Sequence, residues 1–193
     1  MMLFFLTTAT DFDAIRDNDR LEALLERLAE NEKSALAELY ELTKASVYGF
    51  ALSILKNAHD AEDVLQSCFV NVWQNAPFYR AKGKPKAWIL TITKNLCFMK
   101  LREGKRFDEL NPEGAPEVAA PHNTAATAED KAVLQTALKV LSDDERQIVM
   151  LHAVSGLKFR EIADLLDMVT ATVLSKYNRA LKKMRKILEE EPQ

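Results

Sequence analysis

Two stretches of this chain are rich in lysine and arginine, the side chains that bind phosphate. Residues 78–106 contain nine basic residues and a single acid, Glu103, and residues 170–186 contain six basic residues and no acid. Of the 26 basic and 29 acidic residues in the chain, 11 basic and 28 acidic residues lie elsewhere. Basic segments of this kind attract nucleic-acid backbones by displacing condensed counterions. The alternative is that each segment forms an ordinary solvated helix face.

The residue types that carry catalysis or bind metals are scattered. His59, His122 and His152 lie far apart, with no phosphate-binding loop or nucleophile–base pair beside them. Cys68 and Cys97 lie in apolar runs 29 residues apart, and neither belongs to a CxxC or cysteine–histidine cluster. We therefore expect no enzyme activity, no metal and no cofactor, and two buried cysteines in a reducing compartment.

Composition predicts an all-α protein of two small domains. Only five glycines and six prolines argue against a turn-rich β fold, while abundant Leu, Ala, Glu and Lys favour helices. Three prolines, two glycines and no apolar period are typical of a flexible linker at residues 104–128. The predicted organisation is an N-terminal extension (1–19), a first domain (20–103), the linker (104–128) and a second domain (129–193).

The apolar start of the chain, residues 1–6, looks only briefly like a signal peptide. It has no basic flank, and acidic residues follow from Asp11. No segment approaches the roughly 20 apolar residues that a spanning helix needs. We therefore expect a cytoplasmic protein without membrane insertion.

Apolar spacing predicts the helices of the first domain. They are expected over residues 21–28, 34–55, 60–75 and 85–102. The third helix has the clearest stripe, with apolar residues at i, i+3, i+4 and i+7 opposite a polar face. Its stripe consists of Ala61, Val64, Leu65, Cys68, Phe69, Val72 and Trp73.

The second domain has the pattern of a helix-turn-helix. Ser142 and Glu145 form a capping-box pattern that opens a helix through Ala153. A short helix over 159–166 and a tight turn lead to a long basic helix, with Thr170 as its expected N-cap. In this arrangement the second helix enters the major groove of DNA. Its predicted buried stripe consists of Val173, Tyr177, Ala180, Leu181, Met184 and Leu188.

In this order the segments resemble the extracytoplasmic-function group of sigma-70 family sigma factors. Residues 60–73 (DAEDVLQSCFVNVW) are similar to the family's region 2 core helix, and residues 87–95 (AWILTITKN) to its promoter-facing helix. In the second domain, Gly156-Leu157, residues 161–163 (EIA) and Arg179-Ala180 are similar to region 4. The resemblance covers roughly residues 21–188 and includes the expected linker.

The resemblance implies a sigma factor that binds core RNA polymerase and promoter DNA, directs promoter-specific transcription initiation and is held by an anti-sigma factor. The polar face of the third helix would bind polymerase, through Asp60, Glu62, Asp63, Gln66, Asn71 and Gln74. The −10 element would meet Arg80, Lys82, Lys84, Lys86, Trp88, Lys94, Asn95 and Arg102, although Trp88 is equally compatible with the core. The −35 element would meet Thr170, Thr172, Ser175, Lys176, Arg179, Lys182 and Lys183.

The chain departs from the family's pattern near its DNA-facing helices. Met99 stands where an Asp is usual, and Asp167 and Val169 replace a glycine and a serine before the last helix. Leu174 stands where a basic residue is common, and Lys176 replaces a frequent Arg. Because lysine is a point charge and not a planar fork, bidentate reading of guanine is not expected there, which leaves the −35 sequence open.

Two other interpretations compete with the sigma factor. A stand-alone regulator would use only the helix-turn-helix, which leaves the 60–73 helix and the basic 78–106 segment without a role. A helical adaptor that binds only protein would leave both basic segments without a role.

Overall fold

The computed structural model describes residues 17–80, 83–110 and 139–190, and all regular structure in these ranges is helical. This confirms the all-α prediction. Lys82, most of the predicted N-terminal extension and residues 111–128 of the predicted linker lie outside the described residues. The helices are α1 (17–29), α2 (Lys33–Leu55), α3 (Ala58–Asn75), α4 (Pro85–Leu110), α5 (Asp143–Val149), α6 (Phe159–Leu166) and α7 (Thr170–Glu190).

Local capping residues set several helix boundaries. The Asn57 side chain accepts the backbone N–H of Asp60 at 3.1 Å and opens α3. The predicted capping box is present, since Glu145 accepts the backbone N–H of Ser142 at 2.9 Å and Ser142 Oγ accepts that of Glu145 at 3.4 Å. Asp167 ends α6 in a left-handed conformation, with φ 55°.

Three predicted boundaries differ from the structure. Val169, not Thr170, is the N-cap residue of α7, because its carbonyl accepts the first helical hydrogen bond, from the backbone N–H of Val173 at 3.1 Å. α4 runs to Leu110 instead of ending near Arg102. The helix expected through Ala153 changes after Val149 into a π-helical turn over Met150–Val154.

The core of the first domain forms around α1, whose four leucines are all buried against α2, α3 and α4. The α3 stripe lies inside as predicted for Ala61, Val64, Cys68, Phe69 and Val72. Trp73 was predicted to be buried but is 41% exposed, because it lies about one hundred degrees around the helix from Val72. Leu181 on α7 is likewise 41% exposed, at the edge of its predicted stripe.

A second apolar cluster joins the two domains. Phe50 on α2 and Leu90 on α4 pack against side chains of the second domain, and every buried member is 7% exposed or less. The sequence predicted two domains but not this contact. We call it the interdomain cluster, and its principal members are Phe50, Leu90, Ile148, Leu151, Leu157 and Ile162.

Both cysteines are buried and free, as predicted. Burial raises the pKa of the Cys68 thiol to about 11 and that of Cys97 to about 12, so neither thiol reacts readily at neutral pH. Among the described residues, no group of His, Cys, Asp and Glu side chains has a geometry that could hold a metal ion. Within the same residues, no helix is long and apolar enough to cross a bilayer.

Candidate nucleic-acid interface

A short loop positions the start of the basic 78–106 segment. The Glu22 carboxylate of α1 accepts two hydrogen bonds, from the hydroxyl of Tyr79 at 3.0 Å and from the backbone N–H of Gly83 at 2.9 Å. Gly83 has φ 66°, a conformation that glycine adopts without strain. Arg80 and Lys84 are exposed beside these anchors, so the loop presents its cations to solvent.

Aromatic side chains line a cavity of about 410 Å³ beside this loop. Trp88 packs partly into the first core and contacts Tyr79, with ring centroids 4.9 Å apart. Trp88 can therefore belong to the core and still present part of its ring to the cavity. Phe78 lines the same cavity and is 73% exposed. Sequence reasoning left Phe78 out of the candidate residues, although an aromatic residue immediately before a basic run was an available signal.

The remaining candidate residues for the −10 element lie on α4 and have different surroundings. Asn95 and Arg102 are exposed, and Lys86 is partly buried in the first turn. Lys94 donates to the Leu165 carbonyl at 2.7 Å and pairs with Asp167 at 3.1 Å. Lys84 pairs with Asp164 at 3.4 Å. Residues proposed for the −10 element thus contact the second domain, which charge counting along the sequence could not reveal.

The helix α7 presents a mixed surface. Its exposed candidates are Thr172, Ser175, Arg179, Lys182 and Lys183, and Thr170 and Lys176 are partly exposed. Lys176 instead pairs with Asp144 at 2.6 Å, and Lys183 pairs with Glu145 at 2.7 Å. Burial alone would raise the pKa of Glu145, but Lys183 and the Ser142 N–H together outweigh it and leave the pKa lowered. These two lysines therefore help to hold α7 on α5.

The predicted polymerase-binding face of α3 begins at an ion-pair cluster. Lys100 of α4 binds Asp60 at 3.0 Å and Asp63 at 2.5 Å. Its hydrogen bond lowers the pKa of Asp63. Burial alone would lower the pKa of Lys100, but the two carboxylates outweigh it and leave the pKa raised.

The rest of this face is largely free to contact a partner. Glu62, Gln66 and Gln74 are exposed, and Asn71 donates its side-chain amide to the Ser67 carbonyl at 2.9 Å. Val70 is 50% exposed on the same helix as the 41% exposed Trp73. The predicted polymerase-binding residues were all polar, so they did not include Val70, and Trp73 was assigned to the core.

Replacing Lys100 should change the acid stability of the protein. In Lys100→Met the pKa of Asp63 rises toward its usual value, because the main hydrogen bond to its charged form is lost. A lowered carboxyl pKa adds stability above the unfolded pKa and loses it as pH falls through the folded pKa. The variant should therefore be about 0.5–1 kcal/mol less stable than wild type at pH 7 by urea unfolding, and this difference should shrink as the pH falls and Asp63 becomes protonated.

The matched control is Lys86→Met, on the first turn of the same helix. It should not change the pKa of Asp63 in a carboxyl carbon NMR titration. An unchanged Asp63 pKa in Lys100→Met would show that the ion pair does not form in solution.

Comparison with known proteins gives matches to both domains. The family model Sigma-70 region 2 matches residues 39–107, and Sigma-70, region 4 matches residues 131–184. The ECF RNA polymerase sigma factor SigK of Mycobacterium bovis is 30% identical over 177 residues, which cover 88% of this chain and 94% of that protein. SigK of Mycobacterium ulcerans is 29% identical over 180 residues, 89% of this chain and 95% of that protein.

Solved structures show the same fold. The sigma factor RpoE of Bartonella quintana, in complex with the anti-sigma factor NepR, superposes with a TM-score of 0.69 at 23% identity, covering 81% of this chain and 98% of that one. CnrH, in complex with the cytosolic domain of CnrY, gives a TM-score of 0.62 at 22% identity, covering 90% and 99%.

The two competing interpretations fail on the extent of these matches. A regulator that used only its helix-turn-helix would not match region 2, and the relatives that match both regions over most of the chain are RNA polymerase sigma factors, not adaptors that bind only protein. The chain belongs to the sigma-70 family of RNA polymerase sigma factors, in its extracytoplasmic-function group.

Proposed function

We propose that this sigma factor, which directs promoter-specific initiation by core RNA polymerase, uses three separate surfaces. α3 docks on polymerase, the 78–84 loop and α4 bind the −10 element, and α7 reads the −35 element. The observation that carries the proposal is the segregation of charge: α3 has three acids and no lysine or arginine, whereas the 78–84 loop and residues 170–186 expose lysines and arginines and contain no acid. We infer that the protein works in the cytoplasm, with polymerase and DNA.

The docking surface on α3 combines polar specificity with apolar anchors. Glu62, Gln66, Val70 and Trp73 follow at i, i+4, i+8 and i+11, which is one helical face. Partly exposed tryptophans are frequent hot spots of protein interfaces. Asp60 and Asp63 flank this face in fixed orientations because Lys100 holds them, which lowers the entropy lost on binding. Asn71 and Gln74 extend it toward the helix end.

The −10 surface suits a separated strand. Phe78 and Trp88 offer aromatic faces on which unpaired bases stack, and base stacking contributes about 1–3 kcal/mol per base. Arg80 and Lys84 line the cavity and can hold phosphates. Lys86 follows in the first turn of α4, and Lys82 is assigned from sequence alone. Lys94, Asn95 and Arg102 extend the surface along α4.

The −35 surface depends on exposed residues of α7. Thr172, Ser175 and Arg179 are expected to face the base edges, and Lys182 the phosphates. Arg179 is the residue with a planar fork for guanine. Lys176 and Lys183 would have to leave their carboxylate partners to touch DNA, so they contribute less than their charge suggests.

An anti-sigma factor is the remaining partner that we infer. RpoE of Bartonella quintana was solved bound to the anti-sigma factor NepR, and it shares the fold of this chain over nearly its whole length. By that likeness we expect a protein inhibitor that competes with polymerase for this sigma factor.

The polymerase surface is tested with the exposed tryptophan. Trp73→Ala should weaken binding to core RNA polymerase by about 2 kcal/mol, roughly thirtyfold, because it removes an interface anchor without opening the core. The measurement is a fluorescence titration of labelled sigma factor with core enzyme. Leu42→Ala is the matched control, since Leu42 on α2 is 40% exposed. Equal affinities of Trp73→Ala and Leu42→Ala for core RNA polymerase would show that α3 is not the docking surface.

The −35 surface is tested by salt dependence. Lys182→Ala should weaken holoenzyme binding on all promoters alike and reduce the slope of log affinity against log salt by about 1. Arg179→Ala should cost about 1–3 kcal/mol and relax selectivity at one base pair. Filter binding of holoenzyme to promoter fragments measures both, with the exposed, uncharged Asn178→Ala as control. If Lys182→Ala leaves the salt slope unchanged and Arg179→Ala leaves the selectivity unchanged, this face of α7 does not bind the −35 element.

A further inference from the structure

The N-terminal part of α7, which the proposed function places against the −35 base pairs, has no free charge. Between Val169 and Asn178 the only charged side chain is Lys176, and it pairs with Asp144 at 2.6 Å. In a helix-turn-helix, the first residues of the second helix are the ones that contact base edges. Guanine readout by an arginine or a free lysine is therefore absent from residues 169–178.

The hydroxyl groups of the same segment do not supply that selectivity. Serine and threonine hydroxyls bind to donors and acceptors alike, so they do not by themselves distinguish the base pairs. The hydroxyl of Ser175 also donates to the Ala171 carbonyl at 2.9 Å, which leaves it only as an acceptor. Selectivity at this end of α7 therefore requires another kind of group.

Two apolar side chains are exposed in this segment. Val169 is 71% exposed and Leu174 is 40% exposed. Leu174 follows the exposed Ala171 at i+3, so these two residues share one face of the helix. They are next in sequence to Thr172 and Ser175, which the proposed function places at the base edges. The apolar groups thus continue the proposed −35 surface.

Val169 is an unfavourable residue for its structural position. It is the N-cap of α7, and its carbonyl accepts the backbone N–H groups of Thr172 at 2.8 Å and Val173 at 3.1 Å. Valine has no side-chain oxygen that could accept an N–H of the first turn, as serine or aspartate would. Natural sequences break such local rules mainly at functional sites. A contact with a partner therefore explains the exposed valine better than the stability of α7 does.

The major groove of DNA offers one apolar group on its base edges, the C5-methyl group of thymine. An exposed apolar side chain on the helix that enters the groove is complementary to this methyl group. Burying one methyl group corresponds to about fourfold in affinity. Because the β-branched side chain of valine is stiff, Val169 loses little conformational freedom in such a contact.

We propose that Val169 and Leu174 read thymine methyl groups in the −35 element, so that A·T base pairs are selected where the N-terminal part of α7 lies in the groove. The inference rests on the proposed function of α7 and adds the base preference of that surface. Arg179 lies more than one turn beyond Leu174, so its guanine contact falls on a different base pair.

The test uses holoenzyme reconstituted from the full-length chain and core RNA polymerase. Wild-type holoenzyme first selects its −35 sequence from promoter fragments that are randomised over this element. Each thymine of the selected sequence is then replaced by deoxyuracil, which lacks only the methyl group. Replacement should weaken wild-type binding about two- to fourfold at two or more positions. Leu174→Ala should abolish the effect of deoxyuracil at one of these positions.

Leu181→Ala is the matched control for Leu174→Ala. Leu181 is 41% exposed and lies on the same face of α7, two turns and roughly 10 Å farther along the helix. It is therefore outside the part of the helix that contacts base edges. Leu181→Ala should keep the full effect of deoxyuracil at every position.

Val169→Ser gives a readout that a purely structural role would not change. Serine is the better N-cap, so the variant should unfold at a higher temperature than wild type. It should also lose the effect of deoxyuracil at a second position, because the apolar contact is removed. A gain in stability with every deoxyuracil effect intact would show that Val169 does not read DNA.

Two results would overturn the thymine readout as a whole. One is wild-type binding that deoxyuracil leaves unchanged. The other is a Leu174→Ala variant that weakens binding equally on thymine and deoxyuracil promoters, which is expected if these side chains contact a protein. The proposed function is judged separately: altered selectivity in Arg179→Ala without any deoxyuracil effect would reject only the thymine readout and keep α7 on the −35 element.

Discussion

The arrangement of this sigma factor depends on the burial of Phe50 and Leu90 by the second domain. Fully burying a large apolar side chain contributes about 1.5–3 kcal/mol, so a cluster of this size can hold two small domains together. Apolar burial does not specify an angle between its partners. The orientation comes from polar contacts between the domains, those of Lys94 at the end of α6 and the Lys56–Asp143 ion pair.

The ion pairs between the two domains contribute orientation more than stability. Lys84–Asp164 and Lys94–Asp167 are formed by partly exposed groups, and such pairs typically contribute no more than about 1 kcal/mol each. They therefore define the orientation of the two domains and add little to the free energy of their contact. Lys100 has a different role, because it joins α3 to α4 within the first domain and keeps two carboxylates oriented toward the docking face.

Local features of the sequence could be predicted well. The capping box at Ser142 and the bounds of α6 follow from residues within one or two turns, and periodicity placed most of the α3 stripe inside. Stripe edges were less predictable, since Trp73 and Leu181 are apolar but remain 41% exposed among the helices that the structure describes. The family and its function followed from ordered motifs.

Contacts between distant segments could not be predicted. An apolar residue such as Phe50 has the same pattern whether it faces its own domain or another. Likewise, two positive segments in a chain do not reveal that Asp144, Asp164 and Asp167 will neutralise part of them. For the same reason the exposed Phe78, which only the folded loop presents, was not among the predicted site residues.

The most direct test of the interdomain contact is the distance between the domains, with and without polymerase. Donor and acceptor dyes are attached at Ala45→Cys on α2 and Arg185→Cys on α7, both exposed positions, and the native thiols are buried with raised pKa values. Single-molecule energy transfer should give one high-efficiency population for the free chain and a low-efficiency population with core RNA polymerase. Low efficiency in the free chain, or the same distribution in both conditions, would contradict the account.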